Sequence, residues 1–146
     1  MVNTTQLHRV KLPEGYKPSD KEEYMNSVML EYYRGKLEEL KRQILEESNE
    51  TLEHLKEENL HEPDINDRAT METTIAFELR TRDRYRKLLD KIEAALERIN
   101  TGEYGYCEET GEEIGIKRLE ARPFATLCIE AQERHEKYER LHNDDL

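Results

Sequence analysis

The stretch RATMETTIAFELRTRDRYRKLLDKIEAALERINTG, Arg68 to Gly102, decides the fold. In it Met71, Ile75, Glu78, Arg82, Tyr85, Leu89, Ile92, Leu96 and Ile99 recur at alternating steps of four and three. That spacing keeps one face of an α-helix turned toward a partner helix. Gly102 stands where a helix end needs a left-handed residue. Residues 68 to 100 alone would span about 50 Å at roughly 1.5 Å per residue. Upstream, Tyr33, Leu37, Leu40, Ile44, Ser48, Thr51 and Leu55 form a second seam with one extra step of four. Ser19 with Glu22 fits a capping box, so the first helix is expected from there to about Leu60. His61 to Ala69 interrupts the pattern. Pro63 disfavours helix at Glu62, and Asp64, Asn66 and Asp67 are turn or cap formers.

Two long helices joined by a short turn predict an antiparallel coiled-coil hairpin. At its base Leu37 and Leu40 are expected to face Leu96 and Ile99. Toward the tip the seam turns polar, at Glu78, Arg82 and Thr51. So long an arm suggests a use for its far end. A plain dimerising hairpin fits the periodicity equally well.

Composition narrows the function classes. The chain has 146 residues, 39% charged and 35% hydrophobic, an apolar fraction low for one globule and suited to solvated helices around a narrow seam. Lys and Arg total 23 against 34 Asp and Glu, a net charge of −11. Non-specific DNA affinity comes mainly from neutralising phosphates with basic side chains, so this surface opposes it and points to a protein partner. A local basic patch remains able to hold a small anion. Met1 to Lys11 is polar, without the apolar core of a secretory signal. No stretch approaches the roughly 20 apolar residues of a membrane span. A cytoplasmic location is expected, where a structural disulfide is disfavoured, and the Asn-X-Thr triplets at Asn3 and Asn49 read as chance matches.

Both ends differ from the hairpin. Residues 1–18, with Pro13, Gly15 and Pro18, read as an irregular arm. After Gly102, Tyr104-Gly105-Tyr106-Cys107 and Ile114-Gly115-Ile116 flank Glu108-Glu109-Thr110-Gly111, the pattern of a tight β-hairpin. Arg122-Pro123 is expected to be extended, and Cys128 to about Leu141 to form a final helix. A structural zinc site takes four Cys or His ligands, often as two CxxC pairs. Here each pair has lost its second member: Cys107 is followed by Thr110, and Cys128 by Ala131. His135 lies two turns beyond Cys128 and could share its face. The expectation is a head that folds without zinc. Cys107 and Cys128 would be small buried apolar residues, with Thr110 and Ala131 filling the ion's volume and Tyr104, Ile116 and Leu127 packing around them.

Several blocks carry a family resemblance. They are YKPSDKEEYMN (Tyr16–Asn26), DINDRA (Asp64–Ala69), FELRTRDRYRKLLDKIE (Phe77–Glu93), GEYGYCEETGEEIGIKRLEARP (Gly102–Pro123) and TLCIEA (Thr126–Ala131). The sequence resembles the DksA/TraR family, in a branch with a degenerate zinc finger. The resemblance implies a mainly α fold: a long antiparallel coiled-coil hairpin with a small zinc-ribbon-like globular head and a C-terminal helix. Residues 1–32 would pack with the head, 33–102 would be the coiled coil with its tip at 61–69, and 103–146 the head and last helix.

In that family the coiled coil enters the secondary channel of bacterial RNA polymerase, against the β′ subunit, and its tip approaches the active centre. There it alters open-complex stability, usually with guanosine tetraphosphate (ppGpp), inhibiting ribosomal RNA promoters and activating some others. Carried over residue by residue, Asp64, Asp67 and Ala69 match the tip pattern. Helix capping would explain one of those aspartates well and two less well. Arg84 matches a polymerase-docking arginine. Leu88, Lys91 and Arg122 match ppGpp-binding positions, and Gln132 replaces a family lysine there. Losing one cation weakens a site for a polyphosphate. A monomer without sequence-specific DNA binding or membrane attachment is implied. A Gre-like transcript cleavage factor, with Asp64 and Asp67 helping to hold a second Mg²⁺, and a structural coiled-coil adaptor are the alternatives. No nucleophile–base pair and no phosphate-cradling glycine loop marks a stand-alone enzyme.

Overall fold

A computed structural model describes residues 10–61 and 68–143, with side chains for 10–57 and 69–143. Four helices follow in order among the described residues: α1 (Ser27–His61), α2 (Arg68–Thr101), α3 (Ile116–Ala121) and α4 (Ile129–Asn143). The chain divides into two compact units, Glu38–Glu93 and the remainder, Met1–Leu37 with Ala94–Leu146.

In the unit Glu38–Glu93, α1 and α2 run antiparallel. Lys41 pairs with Glu93. Further along, the Tyr85 hydroxyl lies 3.3 Å from Thr51 Oγ1 and 3.2 Å from the Glu47 carboxylate. Rising numbers on α1 therefore meet falling numbers on α2. Ile44, Leu55, Thr81, Tyr85 and Ile92 are buried between them.

The seam differs from expectation beyond Tyr85. Thr81 is buried, and Glu78 and Thr74 are half-buried, whereas Arg82 is exposed. Met71 is 64% and Ile75 50% exposed. Both registers alternate four and three and share Tyr85 and Glu78. They differ in whether the step below Tyr85 is three, to Arg82, or four, to Thr81. An inward guanidinium would need desolvation and a buried partner. The Thr81 hydroxyl instead donates 2.9 Å back to the Phe77 carbonyl, so it is buried satisfied. Arg82 stays outside on Glu78, 2.8 Å away.

In the other unit α1 starts later than the capping box suggests. The Ser19 N–H does donate to the Glu22 carboxylate, 3.1 Å away, and Glu22 N–H donates to Ser19 O at 3.3 Å. These bonds close a turn, not a helix. The chain then passes Met25 in a left-handed conformation, φ 54, which breaks any helix running through. Asn26 supplies the cap, its Oδ1 accepting the Met29 N–H at 2.9 Å.

At the far end of α2 the expectation holds. Gly102 has φ 82, Glu103 N–H donates to Arg98 O at 2.9 Å and Gly102 N–H to Ile99 O at 3.4 Å. That is a Schellman ending. Leu37 and Ile99 are buried, but Leu40 and Leu96 only half so, and Ala95 is fully buried instead of Leu96.

The expected hairpin after Gly102 shrinks to a single antiparallel bridge, Tyr106 with Glu113, and no longer strand is formed among the described residues. Gly111 N–H turns back to Cys107 O at 2.9 Å, and Cys107 N–H donates to Glu112 O at 2.8 Å. Ile116 opens α3 and is not a strand residue. Arg122 leaves α3 extended, φ −136 and ψ 87, as the following proline demands. The core here is Met29, Tyr33, Tyr104, Cys107, Ile114, Leu119, Cys128 and Ala131.

Candidate functional site

Asp64 and Asp67 lie outside the described residues. Ala69 is exposed in the first turn of α2.

The middle of α2 carries five cations in eight residues, Arg80 to Lys87. Arg82 pairs with Glu78. Asp83 accepts from Arg86 at 2.6 Å and from Lys87 at 2.9 Å. The Lys87 hydrogen bond and the nearby charges hold the Asp83 carboxyl below its usual range. Arg84 is exposed, and its guanidinium carbon lies 5.2 Å from the centroid of the Tyr85 ring. Its partner within α2 is thus a ring face, not a carboxylate. Leu88 is half-buried and Lys91 exposed. They are three residues apart, so they share a helix face.

Arg122 belongs to the other unit. It is exposed, with its backbone N–H donating 2.8 Å to Arg118 O. The α3 segment before it is tied to α1: Lys36 Nζ, at 2.6 Å, and the Tyr32 hydroxyl, at 3.2 Å, both donate to the Glu120 carboxylate. Gln132 is half-buried and donates to Glu136 at 3.2 Å.

Cys107, Thr110, Cys128 and Ala131, the expected degenerate zinc positions, lie in one unit. Cys107 and Cys128 are free thiols, both buried. Thr110 Oγ1 is 3.9 Å from Cys128 Sγ, and Ala131 is fully buried. Burial pushes the Cys107 thiol up. Hydrogen bonds from the Thr110 hydroxyl and from the backbone N–H groups of Cys128, Thr110 and Glu109 outweigh it and bring the thiol down to about 6. The backbone thus still presents the N–H groups of a thiolate knuckle. The donor set does not follow: Ala131 offers no ligand atom, and Thr110 is spent on the Cys128 sulfur and on the Glu112 N–H, 3.2 Å away. These residues do not fit a four-ligand zinc site. His135 does not rescue it, because its ring meets the Glu109 carboxylate at the exposed surface.

The contacts of three side chains around the knuckle have no signature in the spacing. The Tyr24 hydroxyl donates to Gly105 O at 2.7 Å and accepts from Gly115 N–H at 3.0 Å. Tyr104 donates to Pro123 O at 2.6 Å. Met25 packs so close to Gly105 (φ +91) that an added Cβ would stand 2.9 Å from its Cγ. Only the quoted blocks Tyr16–Asn26 and Gly102–Pro123 hinted that these segments belong to one unit.

A pair of antiparallel helices, one of them rich in cations, in one chain with a small unit that buries two free thiols, defines a class of mainly helical proteins. Comparison with known proteins is more specific. The family model described as DnaK suppressor protein DksA, N-terminal domain, matches residues 29–99. The model described as prokaryotic dksA/traR C4-type zinc finger matches residues 102–137. The RNA polymerase-binding transcription factor DksA of Caulobacter vibrioides (strain NA1000 / CB15N) is 58% identical over 130 residues, 89% of this chain and 92% of that protein. Its counterpart in Escherichia coli (strain K12) is 45% identical over 119 residues, 82% and 79% of the two chains. The solved structure of transcription factor DksA2 from Pseudomonas aeruginosa aligns with a TM-score of 0.66 at 42% identity, covering 80% of this chain and 90% of that one. This chain belongs to the DksA/TraR family.

Proposed function

We propose that the protein is a transcription regulator that binds bacterial RNA polymerase directly and modulates initiation together with ppGpp. The observation that carries this reading is the match to polymerase-binding relatives along nearly the whole chain. The exposed Arg84 in a chain of net charge −11 supports it, since an acidic protein that keeps a local cationic surface is suited to a protein partner.

In this reading the coiled coil, residues 33–102, enters the secondary channel. Asp64, Asp67 and Ala69 act at its tip near the active centre, Arg84 docks the arm, and Leu88, Lys91 and Arg122 contribute to a ppGpp site shared with polymerase. Gln132, where the family has lysine, makes that site weaker. The head, residues 103–146, keeps its fold without zinc, because two of the four ligand positions are Thr110 and Ala131. The protein is a regulator and not an enzyme, and it works as a monomer in the cytoplasm, where polymerase is. No helix of the described residues is long and apolar enough to cross a membrane. The test is in vitro transcription from a ribosomal RNA promoter, with and without ppGpp. Inhibition that deepens with ppGpp is expected, and a protein without effect in either condition overturns the reading.

A further inference from the structure

Cys107 and Cys128 are free thiols only 3% and 8% exposed, and one hydroxyl lies against both sulfurs. Thr110 Oγ1 is 3.9 Å from Cys128 Sγ and also hydrogen-bonds to the Cys107 sulfur. That sulfur accepts the N–H of Cys128 as well, so the two cysteines adjoin. Local structure holds each in place. Cys107 sits in a turn closed by its own N–H on Glu112 O, at 2.8 Å, and by Gly111 N–H on Cys107 O, at 2.9 Å. Cys128 immediately precedes α4, and its carbonyl accepts the Gln132 N–H at 3.0 Å.

These surroundings suit negative charge on sulfur. Cys107 collects the Thr110 hydroxyl and the N–H groups of Glu109, Thr110 and Cys128. A neutral thiol is a weak acceptor, whereas a thiolate bonds such donors strongly. Cys128 lies at the positive end of α4, which favours a thiolate there too. Two adjoining thiolates repel unless a cation stands between them. The missing ligands decide which cation. Zinc takes four, in a tetrahedron, and among the described residues no group of three or more His, Cys, Asp or Glu is placed to hold a metal ion. Ala131 is fully buried without a ligand atom, and His135 is engaged by Glu109 at the surface. Burial of the sulfurs also keeps out the waters that would complete a zinc shell. Soft thiolates select Cu(I), and a closed-shell monovalent ion is satisfied by two sulfurs in a line. Two thiolates and Cu(I) sum to one negative charge, which the donors around Cys107 offset.

We propose that Cys107 and Cys128 form a two-thiolate site for Cu(I) that discriminates against zinc. Thr110 and Ala131, at the other two positions of the C4 pattern, make the site two-coordinate, and Thr110 donates its hydroxyl to sulfur instead of ligating. Polymerase binding does not enter this inference, so it stands or falls apart from the function proposed above.

The test uses the full chain, reduced and free of oxygen, with Cu(I) supplied as its acetonitrile complex and Zn(II) in a parallel titration. A colorimetric Cu(I) chelator serves as competitor. The chain should withdraw one equivalent of Cu(I) from the chelator and no more. Cu(I) should raise the melting temperature by roughly 5 °C, because a ligand that prefers the folded chain stabilises it. Zn(II) should shift it by under about 1 °C. The thermal shift separates a folded site from two thiols on an unfolded chain, which take up Cu(I) without stabilising the fold. Cys128→Ser should weaken Cu(I) uptake by roughly 100-fold or more and abolish the shift. Thr110→Cys/Ala131→Cys completes four thiols and should turn the preference to zinc, a gain that does not depend on Cys128→Ser folding. Cu(I) uptake unchanged by Cys128→Ser overturns the proposal, as does a parent that zinc stabilises as much as copper. A double variant that takes zinc beside a parent that takes no Cu(I) overturns it too, since the sulfurs are then well placed and two of them do not suffice.

Discussion

At the scale of single residues, charge and shape can be separated. Asp67 immediately precedes α2 in sequence, where an aspartate is a good N-cap. Asparagine caps nearly as well, so Asp67→Asn should leave stability within about 0.5 kcal/mol. It removes a negative charge that, in a polymerase active centre with its metal ions and basic groups, acts at high leverage. Asp67→Asn is therefore expected to keep polymerase binding and lose most promoter inhibition, measured side by side by competition binding and in vitro transcription. Parent-like inhibition would reduce the aspartate to a cap.

Cys107 offers a second separation. Its thiol is brought down to about 6, below the ordinary 9.0, by the Thr110 hydroxyl and three backbone N–H groups acting against burial. A folded-state value below the unfolded one means that this group adds stability as pH rises from about 6 toward 9.0, and that the contribution is lost as pH falls through about 6. Thr110→Val removes the hydroxyl at nearly constant shape. The thiolate titration, followed by ultraviolet absorbance, should move upward, and the melting temperature should rise less steeply with pH across that window. An unmoved titration would show that the backbone N–H groups suffice alone.

At the scale of the element, the seam of α2 shows how periodicity can be right and its phase wrong. Steps of four and three fit both Arg82–Tyr85 and Thr81–Tyr85. The choice falls to the cost of burying a guanidinium against that of burying a hydroxyl that bonds its own helix. The consequence is measurable at Ile75. On the seam, truncating it would cost about 2 kcal/mol or more; at 50% exposure Ile75→Ser should cost under about 1 kcal/mol. Tyr85→Phe is the matched probe of the true register. It strips the hydroxyl shared with Thr51 and Glu47 and should cost about 1 kcal/mol. Urea denaturation reads both, and a larger loss from Ile75→Ser than from Tyr85→Phe would restore the register expected from sequence.

At the scale of the whole molecule, the question is what closes the head if no metal does. Its stitches are spread along the chain: Tyr24 on Gly105 and Gly115, Tyr104 on Pro123, and Glu108 N–H on Thr126 O at 2.9 Å. The side chains of Tyr33 and Tyr104 are fully buried among them. A four-ligand zinc finger draws its folding energy from the ion and comes apart with chelators. Here a strong chelator should shift the melting temperature by no more than about 2 °C, and protein purified without chelator should carry well under one zinc per chain. Stoichiometric zinc whose removal lowers the melting temperature would overturn the metal-free reading.

The sequence by itself determined whatever is local or periodic. The two long helices, the left-handed Gly102 and the extended Arg122-Pro123 are each readable from a few neighbouring residues, because backbone sterics and side-chain chemistry act at that range. The quoted blocks carried the family. Tertiary structure decided what depends on residues far apart. It moved the start of α1 from Ser19 to Ser27, because Asn26 caps there after the left-handed Met25. It chose Thr81 over Arg82 and Ala95 over Leu96, because packing weighs desolvation and volume that spacing does not record. It reduced the expected hairpin to one bridge and began α3 at Ile116. It also set the Tyr24 hydroxyl between Gly105 and Gly115, a hydrogen bond across some 80 residues of chain. No local pattern encodes such a partner, since a tyrosine reads the same whether its hydroxyl meets water or a distant backbone.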